Sequence, residues 1–360
     1  MLNLPFKVIK PALHALDPEK AHMVTMSALK NGLHPTFKAI NDPRLQVTLW
    51  NRNFPNPVGL AAGFDKNAEA IEAILKMGFG FTEVGTVTPK SQDGNPRPRV
   101  FRDPINEAVI NRMGFPNKGL DVFKANVMTY FKKANRPHGI VGLNIGMNKD
   151  QTEPANDYCA LIESLGQLAD YFTINISSPN TPGLRNLQQR DNLLALIGRI
   201  HEQRAKSCDQ DDPPPILIKL APDLDETQQN EIAQTVIEAG VDGLVLTNTT
   251  LERPDYLSTG FKDEMGGLSG MPVRDKSTQI IGNFYKLTHG RMPIIGIGGI
   301  SNGADAYEKI KAGASLIQLY SALVYHGPEL AVKICKDLLD LLEKDGFDHI
   351  SKAVGTAHKL

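Results

Sequence analysis

The stretch IIGIGGISNGADA, residues 294–306, is an apolar strand that runs into two glycines and then into a helix start. Helical spacing continues to Ala312, where Gly313 acts as a C-terminal stop. The same unit recurs along the chain. Short apolar runs, each ended by Gly, Pro, Asn or Ser, are PVGLAAG (57–63), FTEVGTV (81–87), GIVGLNI (139–145) and YFTINIS (171–177), then ILIKLA (216–221), GLVLTNT (243–249) and LIQLYS (316–321). Helical spacing lies between most of them, over 68–77, 192–205 and 226–239, with Gly78 and Gly240 as further stops. Runs that are apolar on both faces and alternate with helices predict parallel strands covered by helices. Counting the run at 294, there are eight such units, which predicts an α/β chain folded as a (β/α)8 TIM barrel. A doubly wound sheet would place GxGxxG directly after an early strand, and none is present.

Composition narrows the partners. The 360 residues are 41% hydrophobic and 22% charged, with a formal net charge of -1, so the phosphate-neutralising surplus that nucleic acid requires is missing. The three cysteines, Cys159, Cys208 and Cys335, form no CxxC pair, and HEQRA at 201–205 lacks the second histidine of a zinc motif. No metal, disulfide framework or iron–sulfur cluster is expected. No apolar stretch is long enough to span a bilayer and no signal peptide is recognisable, which predicts a protein on the cytoplasmic side of the membrane.

Residues 1–40 stand outside the barrel rhythm. Leu2, Phe6, Ile9, Leu13 and Leu16 keep helical spacing, with Pro11 as a kink or early end. Asp17-Pro18-Glu19 starts a second helix that Gly32 stops. Lys7, Lys10, Lys20, Lys30 and Lys38 make the segment basic. Two readings follow from this: helices that close the bottom of the barrel, or a small hairpin lying on an anionic membrane surface.

In barrels the working groups sit at the C-terminal ends of the strands. Gly298 and Gly299, followed by a helix N-terminus, fit a phosphate, in the place where barrel phosphate sites are usually built. Glycines serving only a tight turn are the alternative. Asn144, Asn175 and Asn248 close three different strands, and Asn111 and Asn180 lie in adjoining loops. An amide presents a donor beside an acceptor, which matches the edge of a cyclic amide or imide. Lys66 follows the first strand, and Lys219 lies inside an apolar one, where its ammonium needs a counter-charge or a polar ligand. A buried lysine also suits a Schiff base, so these features leave a flavoenzyme and an aldolase both open.

Taken in order, AAGFDKN, GNPRPRVFR, NRMGFPN, GLNIGMNK, NISSPNTPGLR, KLAPDL, GLVLTNTT, GGLSG, GIGGI and QLYSAL resemble the membrane-associated, quinone-linked class of dihydroorotate dehydrogenase over nearly the whole chain. The resemblance implies a barrel with one FMN, residues 41–360, behind an N-terminal helical hairpin, residues 1–40, that meets membrane and quinone. It implies FMN contacts at Ala62, Gly63, Lys66, Thr86, Asn144, Asn175, Lys219, Thr247, Gly270, Gly299, Tyr320 and Ser321. Orotate would be held by Lys66, by Asn111, Arg112, Met113, Gly114 and Phe115, and by Asn175, Asn180, Asn248 and Thr249.

Ser178 would be the base that takes the C5 proton while a hydride leaves C6 for the flavin, with Lys219 stabilising the charge of the reduced flavin. Soluble members of the family have cysteine at that position. None of the three cysteines here lies in the loop, which favours the quinone-linked class without an iron–sulfur partner subunit. Ser177 keeps a structural role. His22 and Arg102 would flank the quinone entrance, and the implied location is peripheral, on the cytoplasmic side of the cell membrane.

Overall fold

The computed structural model describes residues 6–358, so Leu2 of the predicted first helix lies outside the described residues. Two helices come first, α1 (Phe6–Ala15) and α2 (Pro18–Lys30). Eight strands then form one closed parallel barrel: β1 (Val58–Leu60), β2 (Phe81–Val87), β3 (Ile140–Ile145), β4 (Tyr171–Asn175), β5 (Ile216–Leu220), β6 (Gly243–Leu246), β7 (Ile294–Ile297) and β8 (Leu316–Leu319). β8 closes on β1 with Ile317 opposite Val58 and Leu319 opposite Leu60.

Each strand leads to an outer helix: α3 (Ile71–Lys76), α4 (Leu120–Phe131), α5 (Pro154–Leu165), α6 (Arg190–Ser207), α7 (Glu226–Glu238), α8 (Arg274–Leu287) and α9 (Gly303–Ala312). After β8 come the short α10 (Ala322–His326) and then α11 (Leu330–Asp345). The predicted stops Gly78, Gly240 and Gly313 all have positive φ, +98°, +68° and +125°, where a side chain would be strained.

The barrel interior is filled by large side chains set over glycines. A Cβ on Gly59 would lie 2.3 Å from the Phe81 ring, and one on Gly142 would lie 2.1 Å from Tyr171. At the N-terminal end of the strands a two-stranded hairpin, Val47–Leu49 with Arg52–Phe54, plugs the barrel. Phe54 packs edge-on to Phe81 with ring centroids 5.3 Å apart, and Trp50 Nε1 donates to the Asp242 carbonyl at 2.8 Å. This hairpin therefore closes the bottom, and of the two readings of residues 1–40 the closure of the bottom falls away.

The opposite end carries a feature that the sequence reading treated only as loops. Val100–Asp103 and Ala108–Asn111 from the β2–α4 connection, with Gly267–Gly270 from the β6–α8 connection, form a three-stranded antiparallel sheet with 108–111 in the middle. Ile110, Leu268, Leu257, Phe261 and Val273 make a small separate core beneath it.

The N-terminal hairpin sits beside this sheet. α1 continues through Pro11, and none of its residues is buried. α2 is capped as predicted: Asp17 Oδ1 accepts from the Glu19 and Lys20 N–H groups at 3.1 Å each. Lys10 Nζ donates to the Tyr325 carbonyl at 2.9 Å, and His14 Nε2 lies 2.9 Å from that of Val324. Arg102 donates to the carbonyls of Leu13, His14 and Leu16 at 3.3, 3.2 and 2.6 Å. These lie at the C-terminal end of α1, where helix carbonyls lack partners and a cation is favoured.

α2 is pinned by a buried ion pair. Arg99 reaches Glu19 through Nη2 at 2.7 Å and Nε at 3.0 Å, and Arg97 adds a bond at 3.0 Å. Burial works to raise the Glu19 pKa, but the hydrogen bonds and charges of the two arginines outweigh it and hold the carboxyl at about 2. No described helix is long and apolar enough to cross a membrane.

Candidate functional site

One cavity of about 640 Å³ runs from the hairpin to the C-terminal ends of the barrel strands. Phe6, Ile9, Leu13, His22 and Leu29 wall its outer part, and strand-end loops wall its inner part. Of the residues selected from sequence, Ala62, Gly63, Lys66, Thr86, Asn111, Met113, Gly114, Phe115, Asn175, Ser178, Asn180, Lys219, Thr247, Asn248, Thr249, Gly270, Gly299, Tyr320 and Ser321 all line it, with His22 and Arg102 at the hairpin end.

Two do not line it. Asn144 is fully buried one layer below, and the Arg112 guanidinium turns outward to Glu264 at 2.6 Å and over the Phe101 ring. The Arg112 carbonyl accepts from Asn95 Nδ2 at 3.0 Å.

The amides are joined in a single hydrogen-bonded chain. Glu83, buried inside the barrel, accepts from Asn144 Nδ2 at 2.6 Å. Asn144 Oδ1 accepts from Thr86 Oγ1 at 2.5 Å and from Asn175 Nδ2 at 3.2 Å, and Asn175 Nδ2 also donates to Thr86 Oγ1 at 3.0 Å. Asn175 Oδ1 accepts from Ser177 Oγ at 3.0 Å, Ser177 Oγ accepts from Asn248 Nδ2 at 2.8 Å, and Asn248 Oδ1 accepts from the Thr249 N–H at 2.8 Å.

A carboxylate can only accept, so Glu83 fixes which way each amide in this chain faces. Tyr171, Thr173 and Gln318 donate to its second oxygen at 3.2, 3.1 and 3.0 Å. A register shift between Gly85 and Val87, where β2 pairs with β3, lets Thr86 join Glu83 on the Asn144 side chain despite the odd sequence spacing. Ser177 ties two strand-end amides together.

Charge in the site is set by burial. Lys219 has no hydrogen-bond or ion-pair partner among the described residues; desolvation lowers its pKa and the Glu83 charge acts against this. Lys66 donates to the Gly63 carbonyl at 2.6 Å. Its pKa falls to about 8 through burial, with Glu19 supporting the charged form and Arg99 opposing it. Burial, together with the Lys66 charge, lowers His22 to about 3, so its imidazole is neutral. Its ring meets Phe64 edge-on at 5.4 Å.

The glycine loop has the features of an anion cradle. Gly298 and Gly299 have φ of +123° and +67°, and a Cβ on Gly299 would fall 2.5–2.8 Å from Arg274 atoms. Among the described residues, the backbone N–H groups of Gly299, Tyr320 and Ser321 donate to no protein acceptor. Unpaired donors are costly unless a ligand or water meets them.

Ser178 is buried, and its Oγ accepts from the Asn180 N–H at 3.2 Å. Asn180 in turn donates to the Asn111 carbonyl at 3.1 Å. No group of His, Cys, Asp and Glu among the described residues could hold a metal ion. The sequence reading missed Glu83, whose carboxylate hides in an apolar run, and also Arg185 and Asp223, which bind each other beside the Ser178 loop at 3.0 Å.

Fold and site define a class: (β/α)8-barrel enzymes in which an anion cradle and a ring of amides share one cavity. The dihydroorotate dehydrogenase family model matches residues 44–342, and the chain belongs to that family. It is 49% identical over 357 residues to the dihydroorotate dehydrogenase (quinone) of Rhodospirillum rubrum, covering 98% of this chain and 95% of that one. It is 45% identical over 355 residues to the mitochondrial dihydroorotate dehydrogenase (quinone) of Mus musculus, covering 98% and 90%. The crystal structure of the Eimeria tenella enzyme in complex with ferulenol superimposes with a TM-score of 0.91 at 41% identity, covering 96% of each chain.

Glu83→Gln replaces an acceptor that receives four donors with a group that must itself donate. At least one buried bond becomes a donor–donor conflict, and the fold should lose about 1–3 kcal/mol. Urea denaturation of the two proteins measures the difference.

Proposed function

We infer that this chain oxidises dihydroorotate to orotate with a quinone as final electron acceptor, in pyrimidine synthesis. The observation that carries this reading is the continuity of one cavity, polar and amide-lined at the barrel end and apolar between the N-terminal helices. A water-soluble substrate and an apolar acceptor need walls of those two kinds.

FMN fits the residues present. The unpaired N–H groups of Gly299, Tyr320 and Ser321 suit its phosphate. Ala62, Gly63, Thr86, Thr247 and Gly270 border the same space, and Lys66, Asn175 and Lys219 offer polar ends to its ring system. When bound there, FMN supplies a two-electron acceptor that can pass its electrons on to a quinone. Asn144 serves it indirectly, by orienting Thr86 and Asn175. Orotate is assigned to Lys66, the Asn111–Phe115 loop, Asn175, Asn180, Asn248 and Thr249, where amide edges match a pyrimidine dione and Lys66 matches the carboxylate.

Ser178 takes the C5 proton. Among the described residues no histidine or carboxylate hydrogen-bonds its Oγ, so it is a weak base that works better as pH rises. Residues 41–360 are the catalytic unit and residues 1–40 the acceptor and membrane unit, placed peripherally on the cytoplasmic face with no iron–sulfur partner subunit. The outward positions Val8, Met23 and Leu33 are 61%, 57% and 74% exposed. Apolar side chains of this kind, burying into a lipid surface at roughly 1.5–3 kcal/mol each, suffice for reversible attachment.

Steady-state assays of dihydroorotate with a short-chain quinone, fumarate or NAD should give turnover with the quinone alone; turnover with either soluble acceptor contradicts the assignment. Ser178→Ala should lose about 10²- to 10⁴-fold in kcat, and unchanged turnover at high pH removes serine as the base. Lys66 carries its charge below about 8 and loses it above. Orotate binding to the FMN-loaded protein, followed by flavin absorbance, should therefore weaken as pH rises through that value. Val8→Asp with Met23→Asp should reduce sedimentation with anionic vesicles while dye reduction by dihydroorotate stays intact. Deleting residues 1–40 is a harsher version, because it also removes Glu19 from Arg99 and uncovers that guanidinium.

A further inference from the structure

We propose that Arg185 is a positioning residue for this reaction, holding the backbone on which Ser178 stands at a fixed height against the β6 loop. The inference rests on the assignment of Ser178 as base. Arg185 lies seven positions beyond Ser178, in the turn Leu184–Gln188, and its side chain reaches back across the loop. Nε donates to the Ser177 carbonyl at 3.0 Å, Nη2 to the Thr249 carbonyl at 3.2 Å, and Nη1 to Asp223 Oδ2 at 3.0 Å.

The Ser177 carbonyl belongs to the peptide unit that also contains the Ser178 nitrogen. That unit is planar, so fixing its oxygen fixes one side of the Ser178 backbone and with it the direction of the Cα–Cβ bond. The Thr249 carbonyl belongs to the loop assigned to the substrate. One rigid guanidinium thus spans the base side and the substrate side of the site. Its five donors in a planar fork can do this at once, and the three rotating hydrogens of a lysine cannot reproduce that geometry.

Asp223 gives the fork a firm anchor. It is held by Lys276 Nζ at 3.0 Å, by the Leu251 N–H at 3.0 Å and by the Thr250 hydroxyl. Arg185 and Asp223 are both largely sheltered, at 23% and 20% side-chain exposure, so solvent competes weakly for these bonds. Beyond Ser178, Asn180 is tied to Asn111. The serine is therefore held on both sides, and Arg185 supplies the hold on the N-terminal side that also reaches the substrate loop.

The test compares Arg185→Lys and Arg185→Ala with the native chain, all FMN-loaded, by anaerobic stopped-flow reduction with dihydroorotate. A displacement of the base by about 1 Å costs up to roughly 100-fold in rate. Both variants should slow flavin reduction by about 10- to 100-fold, with orotate affinity changed less than about threefold and a larger isotope effect from C5 deuteration. Arg185→Lys keeps a cation for Asp223 and should unfold in urea near the native midpoint. Guanidinium added to Arg185→Ala should restore part of the rate, whereas Arg185→Lys should not respond.

Hydrogen exchange of residues 176–189, measured without dihydroorotate, should be faster in Arg185→Ala. A native rate in Arg185→Lys, an orotate affinity that falls in step with the reduction rate, or exchange unchanged over 176–189 overturns the proposal. A native chain that dihydroorotate does not reduce at all overturns the functional reading instead, and the exchange result then decides alone whether Arg185 orders the loop.

Discussion

A carboxylate inside a barrel of parallel strands must find donors on every side, and at Glu83 they come from β3, β4 and β8: Asn144, Tyr171 with Thr173, and Gln318. An acceptor with no donor capacity imposes direction on whatever bonds to it. From Glu83 that direction passes through Asn144 and Asn175 to Ser177 and Asn248, so four strand ends share one hydrogen-bond polarity. Asparagine amides look alike at both ends, and without such a terminus each could face either way. The same charge is the electrostatic counterpart of Lys219, whose ammonium would otherwise stand in the barrel mouth without an opposing charge. The orientation of these amides and the counter-charge for Lys219 thus rest on one buried group.

The outer end is built by a different device. The apolar wall comes from two short helices attached to the barrel by ions and carbonyls. Arg99 binds Glu19 with one edge of its guanidinium, and with Nη1 it binds the carbonyls of Asp93 and Asn95 at 2.6 and 2.8 Å. Asn95 then touches the Asn180 and Arg112 carbonyls at 3.4 and 3.0 Å. The helix that walls the apolar compartment and the loop assigned to the pyrimidine are therefore neighbours in one network, although they belong to opposite ends of the cavity.

Much of this is legible in the sequence itself. Period and punctuation mark the strands, because runs such as ILIKLA between proline signals have few alternatives once they recur eight times. Strand ends gave the amides and lysines, since position at the barrel mouth is a function of topology. The antiparallel sheet over the mouth was missed because its strands are four residues each and one of its two pairings joins segments more than 150 residues apart, a separation no local pattern reports. Glu83 was missed because one acidic residue in FTEVGTV does not interrupt an apolar reading, and its partners lie on three other strands. Arg112 was placed with the ligand by its neighbours Asn111 and Met113, but the carboxylate that draws its side chain outward, Glu264, is equally remote in sequence.

The first helix also differs from the barrel in how it is kept. α1 buries none of its residues in the protein, and what retains it is a handful of hydrogen bonds from Lys10, His14 and Arg102 with the packing of Phe6 on Gly327 and of His14 on Tyr325. Each such bond contributes little net free energy in contact with water. With no residue in the barrel core, α1 has the features of an element at the low end of the stability range within one molecule. The apolar compartment is therefore walled on one side by a helix that adds nothing to the barrel core, while the chain of amides at the other end is built wholly from barrel strands and their loops.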